Sequence, residues 1–256
     1  MRVCQRGVKR IPYSIEYWEC PAVGRQGFSG LPGAAILALG VKTVEDRGNA
    51  YVKVDKPLRL LRPVPVYILA VECGERVPVN ITTVSWVVPV GKRPPMVGVV
   101  LDMGSYSLKC LEQGRLYSLN TATTRMAELA KYAGTHTGWE EDKVSKTGTR
   151  ICWAQLDGGG RVPVLCVSPG FLVLRVEDRI SLGSTVLVKS RVLDARLRAD
   201  ALRSDGGVDL NAYDPLLHWY KHYFVGINGR AIRVTRTRWG PAVKKPWRDR
   251  RLDGEP

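Results

Sequence analysis

Two apolar, β-branched segments, NITTVSWVVPV and MVGVVLD, lie within residues 78–109. A Gly-Lys-Arg-Pro-Pro break separates them, which continues neither a helix nor a central strand. The pattern therefore predicts a hairpin of two buried central strands. Small hydroxyl residues gather toward one end of it: Thr82, Thr83 and Ser85 in the first segment, then Ser105, Tyr106 and Ser107 after the second. Hydroxyls and backbone N–H groups at a strand end suit an anionic ligand.

On either side the pattern is also mostly of strand type. Residues 63–72 (PVPVYILAVE) predict a strand turned by Cys73-Gly74-Glu75-Arg76. Residues 116–122 predict another strand. ICWAQL and VPVLCV flank an Asp-Gly-Gly-Gly-Arg turn and predict a hairpin. Residues 171–178 and 184–193 add two strands, and a Gly-Ile-Asn-Gly turn joins two short ones within 224–234. Helical signals are short: 106–113 ending at Gly114, 123–132 with Thr123 or Thr124 as N-cap and Met126, Leu129 and Ala130 apolar, a turn at 140–146, and a helical or turn segment at 215–223. Six or more strands with few long helices predict a mainly β, antiparallel barrel, not a doubly wound sheet. Residues 1–55 read as an N-terminal extension wrapping the barrel, 56–235 as the barrel, and 236–256 as a basic tail. Within the extension, residues 34–44 predict a short strand or helix and 50–54 an edge strand.

The chain has 256 residues, 45% hydrophobic and 25% charged, which supplies an ordinary core and excludes global disorder. No uncharged apolar run reaches 18 residues, so no membrane-spanning helix and a cytoplasmic location are expected. The net charge of +15 concentrates at 191–203 and 230–251. It admits a nucleic-acid module, but no nucleic-acid motif accompanies it, so a basic surface or attraction for phosphorylated cofactors is preferred. The six cysteines form no C-x-x-C or zinc-finger spacing. Cys73, Cys110, Cys152 and Cys166 are expected as buried thiols, with disulfides an alternative if the source is a hyperthermophile.

Taken in order, these pieces resemble the FMN-binding split-barrel family of flavin reductases, in its flavoredoxin-like branch. Asn80, Thr83 and Trp86 match an N-x-x-T-x-x-W strand, followed by Pro94-Pro95 and the Ser105-Tyr106-Ser107 loop. Gly114 to Asn120 is similar to a G-x-F-x-x-N segment. Gly134, Gly138, Asp142, Lys143 and Gly148 are similar to the family's C-G-x-x-S-G-x-x-x-D-K-F-x-x-x-G stretch. The chain departs from the pattern at Ala133 and Val144, and where branch members often carry an Arg it has Asp102-Met103-Gly104-Ser105. The resemblance implies an FMN-binding split β-barrel of Greek-key type, acting as a homodimer with NAD(P)H as electron donor. A non-enzymatic split barrel holding a flavin or haem-like ligand is the alternative.

The site implied comprises Asn80, Thr82, Thr83, Val84, Ser85, Leu101, Ser105, Tyr106, Ser107, Asn120 and Lys143. Ser105 and Ser107, at a helix start, would hold the phosphate; the strand around Thr83–Trp86 and the end of the second strand near Leu101 would wall the ring; Asn120 would bond the ribityl chain or ring edge. With the loop Arg missing, Lys143, Lys109 or a base from the extension would neutralise the phosphate. No catalytic side chain is expected, because the cofactor carries the hydride chemistry. His218 and His222, spaced i, i+4, read as a packing face in preference to a metal pair, and His136 lies in the Gly134/Gly138 loop within possible reach of a flavin.

Overall fold

The computed structural model describes residues 53–227, 229 and 231–241, and the strands Arg6–Gly7, Ile15–Trp18, Val44–Asp46 and Asn49–Tyr51. The core strands are β1 (Tyr67–Glu72), β2 (Val79–Val84), β3 (Val87–Lys92), β4 (Pro95–Asp102), β5 (Leu116–Thr121), the hairpin β6 (Ile151–Gln155) and β7 (Arg161–Leu165), and the long pair β8 (Gly170–Leu182) and β9 (Thr185–Leu197). Seven of them form one antiparallel sheet in the order β2-β1-β5-β8-β9-β4-β3. Strands β2 and β3 are consecutive in the chain yet stand at opposite ends of that order. The sheet therefore curls, and Val84 of β2 shares one core with Val97 and Val99 of β4 from the other end.

The segment NITTVSWVVPV is thus two strands broken at Ser85-Trp86, and neither is central. Trp86, expected in the core or as a flavin wall, is 45% exposed. The Gly-Lys-Arg-Pro-Pro break is a tight hairpin, with Lys92 facing Pro95.

Alternation along the strands sorts two cores, because successive side chains leave a sheet on opposite faces. Leu69 and Val71 of β1 point into the curl with Val84, Val99, Leu101, Tyr117, Leu119, Leu174 and Val188. Ile68 and Ala70 point outward, with Val79 and Ile81 of β2, beneath helix α2 (Ala127–Thr135). That helix, with Met126 just before it, carries Leu129, Ala130 and Ala133 toward the sheet, a stripe of helical period.

Beside α2 lies a second sheet of six strands: Arg6–Gly7, Ile15–Trp18, β12 (Ala231–Val234), β11 (Tyr223–Val225), β10 (Leu217–Tyr220) and Val64–Pro65. Here the sequence reading is corrected. The segment 215–223 is a strand and turn, so His218 and His222 share no helix face. His218 contacts Arg62 and Phe224 instead. Among the described residues no cluster suits a metal ion. Residues 236–241, assigned from sequence to a basic tail, form a small hairpin on α2: Arg238 grips the buried Glu128 at 2.9 and 3.0 Å, and Trp239 packs on the α2 core. In the extension, Asn49–Tyr51 pairs with Val44–Asp46; the element expected at 34–43 lies outside the described residues.

Two further expectations change. The four cysteines expected as thiols pair, Cys73 with Cys110 and Cys152 with Cys166, their Cα atoms 5.0 and 5.2 Å apart. The basic run at 191–203 is largely neutralised where it stands: Arg191 meets Glu177, Arg196 meets Asp194, Arg198 meets Asp200 and Arg203 meets Asp205.

Candidate functional site

The site is built around α1 (Tyr106–Cys110), which begins where β4 stops. Ser105 caps it, its Oγ accepting from Leu108 N at 3.2 Å. Two anchors fix the helix against the sheet. Asn80 Nδ2 of β2 donates to Ser107 Oγ at 2.7 Å, with both residues buried. At the other end Cys110 is bonded to Cys73, in the turn after β1.

The loop between α2 and α3 (Lys143–Thr147) covers this helix. It can do so because residue 138 is glycine: a Cβ there would stand 2.2 Å from Tyr106 Cδ1 and 2.7 Å from Asn80 Oδ1. Next to it, Trp139 Nε1 donates to Gly104 O at 3.1 Å, and its ring meets Tyr106 edge-on at 4.9 Å. Arg76 donates to Gly138 O and lies 5.6 Å over the Tyr106 ring. Lys109 Nζ lies 5.0 Å from the Trp139 ring and 5.9 Å from that of Tyr106.

Between these groups opens a cleft of about 450 Å³, lined by Arg76, Lys109, Tyr106 and Trp139 together with Cys73, Gly74 and Glu75. Its volume is that of a small-molecule site. Two cations against the single carboxylate of Glu75, with two ring systems around one concavity, favour a planar, anionic ligand, through charge and through aromatic contact.

The expected residues divide around this cleft. Tyr106 lines it, whereas Ser105, Ser107 and Asn80 do not reach its lining and act by capping and anchoring α1. Asn80 Oδ1 is buried without a hydrogen-bond partner. Thr82 and Ser85 are half-buried on β2 and just past its end, while Val84 and Leu101 belong to the interior of the curl. Thr82 and Thr83 face opposite ways, as alternation requires. Thr83 is turned to α2, where its Oγ1 donates to Ala130 O at 2.6 Å and Gly134 is small enough to pass over it.

Asn120 is committed elsewhere. Its Nδ2 donates to Ile68 O and Ser118 Oγ, and its Oδ1 accepts from Leu165 N at 2.8 Å. These bonds pin the β6–β7 hairpin to the sheet and use both N–H groups of a fully buried amide, which leaves it out of reach of a ligand in this cleft. Lys143 is only 2% exposed and donates to Ala133 O and His136 O, closing the C-terminal end of α2. Burial lowers its pKa to about 7, opposed by the nearby Glu141 carboxylate. His136 stacks on Tyr132 at 3.9 Å, beneath Gly240, and does not line the cleft.

Arg76 and Trp139 were missed in the sequence. Arg76 sits in a stretch that reads only as a turn, and Trp139 directly follows the Gly138 of the glycine-spaced motif. A search for cations near the aromatic residues of that motif would have raised Trp139. Arg76 is brought in by the fold alone, 62 positions from Gly138.

The curled antiparallel sheet and the cationic, aromatic cleft beside α1 define a mainly β split-barrel protein with a small-molecule site. The chain belongs to the flavin reductase like domain family, whose model matches residues 60–226. It is similar in fold to flavoredoxin from Methanosarcina acetivorans, with 21% identity over 69% of this chain and 91% of that one and a TM-score of 0.60. An FMN-binding protein from Thermus thermophilus, with bound 1-cyclohex-2-enone, gives 20% identity over 71% and 96% and a TM-score of 0.57. Nitrilotriacetate monooxygenase component B from Bacillus cereus gives 15% identity over 70% and 97% and a TM-score of 0.60. Comparison with curated protein sequences returned no match. Among the described residues, no helix is long and apolar enough to cross a membrane.

Proposed function

We propose that this protein binds FMN in the cleft beside α1 and works as an NAD(P)H-dependent flavin reductase or flavoredoxin-like electron-transfer protein in the cytoplasm. The observation that carries the reading is the convergence of Arg76, Lys109, Tyr106 and Trp139 on one cleft. The donor set fits the group. A phosphate dianion calls for cations, and Arg76 and Lys109 take the place of the loop Arg that the chain lacks. The isoalloxazine calls for an apolar wall, which the Tyr106 and Trp139 rings supply. Ser105 and Ser107 act through α1, which they cap and anchor.

Bound there, FMN would supply the chemistry of hydride acceptance from a nicotinamide and of onward electron transfer. The protein's part is to bind, orient and shield the ring. Gly138 lets the covering loop close down on Tyr106, and Asn80 holds α1 in register with β2 through Ser107.

A homodimer is part of the proposal. Edge strand β3 leaves Val88 and Val90 48% and 45% exposed beside Trp86, an apolar edge that soluble proteins rarely leave uncovered. Trp219 is also exposed, while Tyr220 is bracketed by Arg59 and Lys221.

Titration of purified protein with FMN, followed by anaerobic NADH or NADPH, tests the reading. FMN binding with bleaching of the flavin bands supports it. Binding without bleaching leaves a non-enzymatic flavin protein, and no binding removes both.

A further inference from the structure

We propose that the Cys73–Cys110 disulfide is a redox site opened by dithiols, and that its state sets the affinity of the cleft. The ligand half of this inference rests on the FMN reading; the redox half stands on the disulfide's own placement.

The bond joins the two elements that carry the cleft's cations. Cys73 opens the turn bearing Arg76, and Cys110 ends the helix bearing Lys109. Residues 74–76 of that turn are exposed; beside the disulfide, the fully buried Val77, the Cys73 N to Pro78 O bond at 3.1 Å and the Arg76 bond to Gly138 O tie it down. The disulfide thus holds Arg76 and Lys109 on opposite walls of one cavity. Arg76 in turn holds the covering loop through Gly138 O.

The bond is also placed to be attacked. Cys73 is half-buried and lines the open cleft, whereas Cys110 is 6% exposed. An incoming thiolate therefore meets the Cys73 sulfur, and the Cys110 sulfur leaves. The second thiol of the reductant then attacks the mixed disulfide and releases Cys73. Two electrons and two protons pass to the protein, giving two cysteine thiols, and the reductant leaves as a cyclic disulfide. Acceptors stand ready for the new thiol protons: Tyr106 O lies 3.2 Å from Cys110 Sγ, and Val71 O lies 3.7 Å from Cys73 Sγ.

The Cys152–Cys166 disulfide is the built-in contrast. It spans the base of the β6–β7 hairpin, already held by a continuous five-pair ladder and by Asn120, and neither of its cysteines lines this cleft. Its opening frees no cleft-lining element.

The test compares FMN affinity of the whole protein, oxidised and after dithiothreitol, with alkylation mass mapping of the thiols and hydrogen exchange over residues 73–78. Expected are alkylation of Cys73 and Cys110 under native conditions, faster exchange in 73–78, and at least a tenfold weaker FMN Kd in the reduced form. The Cys152→Ser/Cys166→Ser variant is expected to keep that difference, and Cys73→Ser/Cys110→Ser to bind weakly with or without dithiothreitol. A Cys73–Cys110 bond that stays closed under native reduction, or equal FMN affinity and unchanged exchange once it is open, overturns the proposal. If FMN binds neither form, the flavin reading fails, and exchange at 73–78 of the wild-type protein still decides the redox half.

Discussion

Lys143 offers the sharpest quantitative test. It is an ammonium buried to 2% exposure, and two of its three donors are spent on Ala133 O and His136 O. Burial holds its pKa at about 7 against an ordinary 10.5. Each tenfold in proton affinity is worth about 1.4 kcal/mol, so keeping the charge inside at pH 6 costs the fold on the order of 5 kcal/mol. The sign follows from proton counting. Between pH 7 and about 10 the unfolded chain holds the Lys143 proton and the folded chain does not, so stability gains from this residue as pH rises, by about 1.4 kcal/mol per pH unit. Below pH 7 both states hold the proton and the penalty is constant. The perturbation is Lys143→Met, which keeps the aliphatic volume and removes the titration. It also strands two carbonyls, at about 1–3 kcal/mol each, so the absolute stability of the variant is not diagnostic. The difference between the two proteins is. Urea unfolding at intervals from pH 6 to 10 should show wild type gaining on Lys143→Met by about 1.4 kcal/mol per unit above pH 7. All other groups cancel in that difference. Parallel profiles across the range would refute the buried, near-neutral lysine.

Four further outcomes are expected. Gly138→Ala drives a Cβ into Tyr106 and Asn80 and should cost about 1–3 kcal/mol, lowering Tm by about 2–4 °C per kcal/mol; an unchanged melting curve would show that the loop does not sit on Tyr106. Thr83→Val should cost about 1 kcal/mol through the lost bond to Ala130 O, read by denaturant midpoint, and a fall in FMN affinity at unchanged stability would make Thr83 a ligand contact instead. Trp139→Ala removes a cleft wall and the Lys109–ring contact and should weaken FMN binding roughly tenfold by calorimetric titration; an unaltered Kd would place the flavin elsewhere. His218 is held at about 4 by burial first and by Arg62 and Lys131 second. The unfolded chain therefore takes up a proton there before the folded one does, and stability should fall as pH drops from about 6.5 through 4. His218→Gln should flatten that limb of the urea midpoint against pH.

Most of the architecture was legible because period and punctuation agree in this chain. The β6–β7 hairpin announces itself through ICWAQL, a glycine turn and VPVLCV, and α2 through its apolar stripe. Legibility failed where tertiary partners decide the outcome. Residues 217–220 carry no strong strand signal and become a strand by pairing with Val64–Pro65 and β11. Ser85-Trp86 looks like the middle of a strand and is a break, because the chain must cross there from one end of the sheet order to the other. The site was legible as a place, around Ser105–Ser107 and Gly138, but not as a set of contacts. Asn120 and Thr83 have the chemistry of ligand groups and spend it on internal carbonyls and amides. Arg76 looks like turn filler and faces the cleft. Cysteine spacing gave no sign of pairing, since residues 37 apart meet only after α1 folds back on β1.

The second sheet has a bearing on how the molecule can be assembled and cut. Strand β12 pairs with Ile15–Trp18, so Trp18 faces Ala231 across a ladder that joins opposite ends of the sequence. Such contacts are slow to form and come late in synthesis. The barrel strands can pair as they emerge, whereas the early strand must wait for residues 231–234 before its ladder exists. The same joint governs truncation. A chain trimmed to residues 60–226, the span of the family match, keeps every strand of the curled sheet but loses Ile232, Val234 and Trp239 from the apolar floor beneath α2. It would present that floor to water, and the boundary of the recognisable family domain is therefore not the boundary of the smallest self-sufficient folding unit.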